Sequence, residues 1–548
     1  MIKKAIILAI IVIGITLRFY NLGEVPYSMD WDEVSLGYNA YSMLLQGTDE
    51  YGNTWPLSIR SFNDYKPPAY AYFTIPSIAL FGLDQFSIRA PSAFFGSLTI
   101  IFVYLLTREF FKNSKNSQLR EYAPLTAMFI FAISPWSLQF SRAAFEANIA
   151  VFFVVSGMWA ILHYLNTQKP KWIYLSALLL AASFYCYHAP RLVVPLLLLG
   201  VLIRYRNAFK QQYKHVIIAS VIALIFIAPL VIVLFRGTAS SRFTSVSVFK
   251  PSFEMLRTLE YAREDEVKGK WESIFHNRRM IYALSIVEGY ADHFYPSSMF
   301  LKGDPVQRHH APGMGHFYLL EFPFFIIGLI FLLKKKFNFK WLFFYWYFIA
   351  PIPAAISTGT PHAIRSILFL PIPQIMIAVG LIVAINWSRQ QIQKISKSKA
   401  LIYFPAILVI LSYIANFTYY LNQYYVNLDK EYAREWQYGY KELVETLKPI
   451  EDKYDKILVT TAWDQPYIYF LYYKNYDPRV WINNGEFNKG FDKYEFRRVI
   501  WAEDRNLKNT LIVGSFGEIP EGESGTLKVI TFPDGKLDAF RIYDNPND

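Results

Sequence analysis

Pro67-Pro68-Ala69-Tyr70-Ala71-Tyr72-Phe73-Thr74-Ile75-Pro76-Ser77-Ile78-Ala79-Leu80-Phe81-Gly82 governs the topology of everything after it, because counting it as a membrane crossing inverts every later loop. Apolar runs long enough to cross about 30 Å of hydrocarbon surround it at 5–20, 88–110, 122–140, 147–166, 172–187, 190–203, 215–235, 317–333, 340–356, 362–386 and 400–420. Lys3 and Lys4 favour a cytoplasmic N-terminus, and with one crossing per run four inside loops carry Arg108, Lys112, Lys115 and Arg120; Lys169 and Lys171; Arg204, Arg206, Lys210 and Lys214; and Lys334, Lys335, Lys336 and Lys340. A fifth carries Arg389, Lys394, Lys397 and Lys399, while the short outside loops hold only the isolated cations Arg142, Arg191 and Arg365. This is the positive-inside pattern along the whole chain, and a crossing at 67–82 would move most of the clusters outside. The stretch therefore reads as an interfacial or re-entrant helix, begun by Pro67-Pro68 and kinked at Pro76.

The expected fold is mainly α: a polytopic transmembrane helical chain of about eleven spans, N-terminus in and C-terminus out, multi-pass in the plasma membrane. Hydrophobic residues make up 53% of the 548 and charged residues only 18%, which suits many spans. The net charge of +12 lies in short clusters between apolar runs rather than in a basic stripe, so nucleic acid is excluded as a partner and membrane lipids are the expected surroundings. The lone cysteine, Cys186, lies in an apolar run and permits neither an intrachain disulfide nor a Cys-based metal site. Lys3-Lys4 followed by apolar residues 5–17 resembles a secretory signal, but no small-residue cleavage site follows, and the segment reads as an uncleaved first helix.

Residues 1–420 form the expected membrane domain, with outer loops at 21–87 and 237–316. Residues 421–548 change composition sharply and read as a small soluble extracytoplasmic α/β domain. An amphipathic helix is expected at 429–450, strands at 456–461, 497–501, 510–514, 526–532 and 539–543, and a further helix near 465–474.

The acids show where chemistry belongs. Carboxylates are expensive near hydrocarbon, yet Asp32 and Glu33 follow the first run directly, Asp64 precedes Tyr65-Lys66-Pro67-Pro68, and Glu146 stands just past another run. By the charge parity, Asp32, Glu33, Asp64, Lys66, Glu146, His188, Arg191, His362 and Arg365 all fall on the outer side. Asp32 and Glu33 open an amphipathic segment, 33–46, that would pin them at the surface, where one carboxylate can take a proton from a hydroxyl acceptor and the other orient it. Lys66, held by the stiff Pro-Pro step, suits a phosphate headgroup, against the alternative of a lysine snorkelling from a helix end. A bound anion would explain Arg142, Arg191 and Arg365 together. Asp64, Tyr65, His188 and His362 read as supporting residues.

Histidines 293, 309, 310, 316 and 362 show no His-x-x-x-His or comparable spacing, so no metal ligand is assigned. No Walker-type loop or dinucleotide fingerprint is present, and a soluble nucleotide donor is unsupported.

A first span, then Asp32-Glu33, then Lys66-Pro67-Pro68, then Arg89-Ala90-Pro91-Ser92-Ala93 opening the next span, then Glu146 after a further span pair: this order resembles the GT-C type, polyprenol-dependent integral-membrane glycosyltransferases, among them protein O-mannosyltransferases and aminoarabinose transferases. The resemblance covers most of 1–390 and is most specific in the first 150 residues. It implies an inverting transfer of one sugar from a polyprenyl-phosphate donor to an acceptor hydroxyl on a protein, lipid or glycan at the outer face. Asp32 would be the catalytic base with Glu33 beside it, and Glu146 would hold the second acidic position, where relatives usually carry Asp. Lys66 would contact the donor phosphate, and Arg365 would face it too. Aminoarabinose transferases have Glu-Lys-Pro where this chain has Tyr65-Lys66-Pro67, so no Glu-dependent metal site carries over, although a divalent metal is left open. The rival expectation is a transporter or flippase of a lipid-linked anion, which would place its polar groups near the bilayer midplane on broken helices.

Overall fold

The computed structural model describes residues 1–62, 64–233, 247–249, 259–260, 263, 278–484 and 490–544. Most of the expected outer loop 237–316 before residue 278 therefore lies outside the described residues. The helices up to residue 233 are α1 (Ile2–Phe19), α2 (Trp31–Gln46), α3 (Ala69–Phe81), α4 (Gln85–Phe111), α5 (Ser117–Ile133), α6 (Pro135–Ser141), α7 (Glu146–Thr167), α8 (Lys171–Ser183), α9 (Pro190–Arg204), α10 (Arg206–Gln211) and α11 (Tyr213–Val233). A short hairpin, β1 (Ile59–Ser61) and β2 (Asp64–Lys66), precedes α3. Then come α12 (Arg278–Asp292), α13 (Glu321–Lys334), α14 (Lys340–Ile349), α15 (Ile352–Ala355), α16 (Ile372–Ile395) and α17 (Lys399–Asn422).

Each apolar run of the sequence contains helix, although the run 362–386 becomes helical only from Ile372 and the run 340–356 is divided between α14 and α15. Among the described residues, five helices are long and apolar enough to cross a membrane: Gln85–Phe111, Glu146–Thr167, Tyr213–Val233, Ile372–Ile395 and Lys399–Glu431. A sixth counts if α5 and α6, bent by 53°, form one broken span. The other runs make helices of 18 residues or fewer, such as α8 with 13 and α13 with 14, so the eleven crossings read from the sequence exceed those seen by length and composition alone. Residues 67–82 become α3, a 13-residue helix with Pro76 inside it.

Two of the long helices argue for lipid directly. α11 leaves Ile217, Leu224 and Ile225 more than half exposed, and α17 does the same with Leu408, Ile410, Leu411 and Ile414. A helix that is apolar all round and uncovered by protein belongs in hydrocarbon. Elsewhere, helices meet through small residues. A Cβ on Gly328 of α13 would lie 1.9 Å from the Met376 carbonyl oxygen, and one on Gly380 of α16 would lie 1.8 Å from that of Phe324. Only glycine permits so close an approach of two backbones.

The chain forms two compact units: Met1–Ile15, Phe95–Gln139 and Ala147–Tyr420 in one, and Thr16–Phe94, Phe140–Glu146 and Leu421–Asp548 in the other. The second unit thus gathers the segment from the end of α1 to the start of α4, a short stretch leading into α7, and the C-terminal region. That region holds α18 (Leu428–Glu431), α19 (Tyr440–Leu447), β3 (Lys456–Val459), α20 (Pro466–Tyr473), α21 (Pro478–Asn484), β4 (Gly490–Phe491), β5 (Tyr494–Phe496), α22 (Trp501–Asp504), β6 (Thr510–Gly514), β7 (Thr526–Thr531) and β8 (Asp538–Asp544). Its sheet runs β4-β5-β3-β6-β8-β7, with β3 parallel to both β5 and β6 and the remaining pairs antiparallel. β6 is buried along its whole length, as a central strand should be.

Two expectations for this region change. The helix expected at 429–450 is interrupted between α18 and α19, where Gln437 and Gly439 take positive φ of 46° and 104°. The strand expected at 497–501 lies earlier, at β5. Arg497 instead pairs with Asp504, 2.5 Å away, and with Glu495, 2.8 Å away, closing the turn into α22.

Candidate active site

α2 is built to hold acids at its start. Asp30 is its N-cap and accepts from the Glu33 backbone N–H at 2.9 Å, while the Glu33 carboxylate accepts from the Asp30 N–H at 3.4 Å. This reciprocal capping box fixes the first turn, and the helix dipole favours negative charge there. Gly47 closes the helix in the left-handed conformation, with φ of 73°.

Asp32 and Glu33, neighbours in sequence, meet different surroundings. Glu33 is fully buried, and the Arg89 guanidinium holds both of its oxygens, Nε to Oε1 at 3.0 Å and Nη2 to Oε2 at 3.1 Å. The same guanidinium donates to the carbonyls of Pro26 and Ser28, each at 2.8 Å, so it also fixes the loop entering α2. Glu33 Oε1 further accepts from the Ala144 N–H at 2.7 Å. One carboxylate thereby ties α2 and α4 to the segment that delivers Glu146, the first residue of α7 and itself buried.

Asp32 keeps about half of its side chain exposed, at 46%, and pairs with Lys66, which is 4% exposed. Lys66 is the last residue of β2, paired with Ile59 in the β1–β2 hairpin, and the next two residues are the prolines that open α3. Asp64 and Tyr65 lie half-buried in the same strand, with Asp64 Oδ1 accepting from the Tyr65 N–H at 2.8 Å. The arrangement is a buried ammonium directed at a carboxylate that solvent-side molecules can reach.

Behind this pair, Glu50 is fully buried. Asn39 donates to its Oε1 at 3.2 Å, and burial pushes its carboxyl up to about 8, against the partly opposing pull of that hydrogen bond. The C-terminal helices brace the region: Tyr469 donates to the Met29 carbonyl at 3.0 Å, Trp481 to that of Glu50 at 3.1 Å, and Tyr38 of α2 to that of Tyr476 at 3.0 Å.

Arg142, expected to contact a phosphate, lies in the same unit but directs both terminal nitrogens of its guanidinium to backbone, while its buried Nε has no hydrogen-bond partner among the described residues. It donates to the carbonyls of Leu17 at 2.8 Å, Tyr20 at 2.7 Å and Val25 at 3.2 Å, and packs against the rings of Tyr424 and Tyr425. The first two are orphan acceptors at the end of α1 and the third lies in the loop after it, so the cation caps that helix and ties the loop to it. Nearby, the buried Arg18 donates to Ser141 Oγ at 3.2 Å.

The remaining expected residues fall in the other unit. Arg191 donates to the Phe184 carbonyl at 3.0 Å and approaches His188 Nδ1 at 2.9 Å, in the turn joining α8 to α9. Arg365 donates to Ser357 Oγ at 2.8 Å and to the Thr358 carbonyl at 2.7 Å, and His362 is buried one turn before it. Sequence reasoning did not single out Arg89 or Asp30 as site residues. Arg89 carried a usable signal, since a charge inside a membrane-length apolar helix needs a partner.

Residues 65–233, less than half of the chain, match the family model of the dolichyl-phosphate-mannose-protein mannosyltransferases. ArnT from Cupriavidus metallidurans, solved bound to undecaprenyl phosphate, aligns over 98% of this chain and 97% of its own, with a TM-score of 0.57 and 11% identity. The chain has the GT-C fold. The apo form of the same ArnT gives a TM-score of 0.56 at 11% identity over 100% and 98% of the two chains. The Archaeoglobus fulgidus oligosaccharyltransferase, solved with Zn and sulfate, gives 0.51 at 13% identity, over 93% of this chain and 68% of that one. At these identities the likeness is one of GT-C architecture. No curated protein matches the chain by sequence.

Proposed function

We propose that this GT-C protein is an inverting glycosyltransferase that moves a sugar from a polyprenyl-phosphate donor to an acceptor hydroxyl at the outer membrane face. The observation that carries the reading is the pairing of half-exposed Asp32 with buried Lys66, on a helix start that Glu33, Arg89 and Asp30 make rigid. In the reaction the acceptor oxygen forms a bond to the sugar's anomeric carbon as the bond from that carbon to the phosphate oxygen breaks. The acceptor proton passes to Asp32, and polyprenyl phosphate leaves. Asp32 is the accessible carboxylate and takes the general-base role. Glu33, enclosed by Arg89 and the Ala144 N–H, is a positioning residue rather than a second base.

Lys66 supplies positive charge where charge develops on the leaving phosphate. An ammonium has three donors, and the bond to Asp32 uses one. Because Lys66 is buried, that charge acts in a poorly screened setting and needs little rearrangement during the reaction. Glu146 serves as the second acid of the site, and Arg142 as the residue that fastens α1. A polyprenyl tail fits beside the apolar surfaces of the membrane helices; one groove, between α5, α16 and α17, is lined by Ile130, Ile133, Ile382, Ile410 and Phe417.

The test is to incubate membranes containing the protein with a radiolabelled polyprenyl-phosphate sugar and follow label into protein, lipid and glycan fractions together with release of polyprenyl phosphate. Transfer supports the reading. Movement of the intact donor across the bilayer with no transfer would instead support the transporter.

A further inference from the structure

The histidines without a ligand-like spacing in the sequence are brought together by the fold. Asp304, His309 and His362 are each at least nine-tenths buried, and they offer ligand atoms that lie within 4.8 Å of one another. The loop that carries the first two is shaped by Gly303, whose φ of 75° and lack of a Cβ let the His310 ring lie against it; an added Cβ would sit 2.3 Å from His310 Cδ2.

Hydrogen bonds sort the donor atoms. Asp304 Oδ2 accepts from the Ala363 N–H at 2.7 Å and meets His309 Nδ1 at 2.6 Å. His309 therefore turns Nδ1 toward the carboxylate that it would share an ion with, and a cation held by both would take the place of the proton between them. His293 is committed elsewhere: its Nδ1 donates to the Gly289 carbonyl at 2.6 Å and its Nε2 accepts from the His362 N–H at 3.1 Å. Two acceptors are left over. Asp304 Oδ1 and His362 Nδ1 are both buried and have no hydrogen-bond partner among the described residues. Buried polar atoms are costly without a partner, and a cation shared between these groups supplies one to both.

We propose that Asp304, His309 and His362 bind a divalent transition-metal ion that pins the 303–309 loop to the 357–366 segment. Two imidazoles with one carboxylate suit Zn2+ and its neighbours rather than Mg2+ or Ca2+, which prefer all-oxygen shells. The ligand set closes a loop more than fifty residues long through side chains of two polar segments. Because Arg365 lies three residues after His362, the ion also sets where that guanidinium stands. The assignment does not depend on the transferase reading.

The test uses full-length protein in detergent, stripped with chelator, reloaded with Zn2+, dialysed, and assayed for metal by mass spectrometry. A single retained equivalent per chain is expected, with Co2+ giving the visible absorption of a low-coordinate nitrogen and oxygen site. Asp304→Asn and His362→Ala should each weaken retention by at least ~10-fold, whereas His215→Gln, which removes a histidine elsewhere, should leave it unchanged. Failure of folded wild-type protein to keep an equivalent of Zn2+ overturns the proposal, whether or not the variants fold. Wild-type retention by Asp304→Asn also overturns it. Since metal content is read without any transfer assay, this result is separate from the outcome for the glycosyltransferase activity.

Discussion

Arg89 holds both oxygens of Glu33, at 3.0 and 3.1 Å, where neither side chain touches solvent. Removing one partner of a buried pair strands the other charge, so Glu33→Gln and Arg89→Met should each destabilise the protein by about 3–5 kcal/mol. Replacing both with apolar residues should cost less than the sum of the two, because no charge is then left alone. Thermal unfolding of the two singles and the double checks this; additive losses would show that the pair is not coupled.

The Arg142 guanidinium serves the end of α1 and the loop after it through the carbonyls of Leu17, Tyr20 and Val25. Arg142→Ala should therefore lower stability by at least ~2 kcal/mol. Arg142→Lys should not restore it, because a single ammonium cannot replace the planar fork. Saturation with donor should rescue neither variant. A variant of wild-type stability with a raised donor KM would return Arg142 to the phosphate.

Glu50 gives a pH signature of known sign. Its folded-state value of about 8 stands above the ordinary 4.5, so below about pH 4.5 both folded and unfolded chains hold the proton. As pH rises toward 8 the unfolded chain has lost that proton while the folded chain retains it, and stability falls across this window. Glu50→Gln keeps the Asn39 contact without an ionisable group, and should gain stability relative to wild type steadily between those limits. Parallel melting curves against pH for the two proteins would contradict this.

Lys66→Ala should reduce transfer by about 10²-fold or more, the usual loss when one preorganised stabiliser of developing negative charge is removed. The fall should appear mainly in kcat. A change confined to KM would mean that Lys66 contributes binding that is equal in the ground and transition states.

The helical plan was legible because its signal is local: apolar runs mark helices, although only five or six of those described reach the length and apolarity of a membrane crossing. The start of α2 was legible for the same reason, since Asp32-Glu33 precedes an amphipathic segment. The fastening of the site was not. Arg142 reads as a lone cation beside an apolar run, and its carbonyl partners lie 117 to 125 residues away. Glu33 looks like a second catalytic acid until Arg89, 56 residues on, is seen to enclose it. The same limit hid the Asp304, His309 and His362 cluster, whose members share no spacing rule. Turn chemistry accompanies the interrupted helix at 429–450: the first part ends at Glu431, and left-handed Gln437 and Gly439 lead into the second part at Tyr440.

Asp32 carries the account, and one comparison tests it most directly: transfer from a radiolabelled polyprenyl-phosphate sugar by wild type and by Asp32→Asn, with donor binding and thermal stability measured on the same preparations. The isosteric amide cannot accept the acceptor's proton, so transfer should fall by at least ~10²-fold while donor binding and melting temperature hold. Undiminished transfer by Asp32→Asn would contradict the assignment of the base and the proposed mechanism with it.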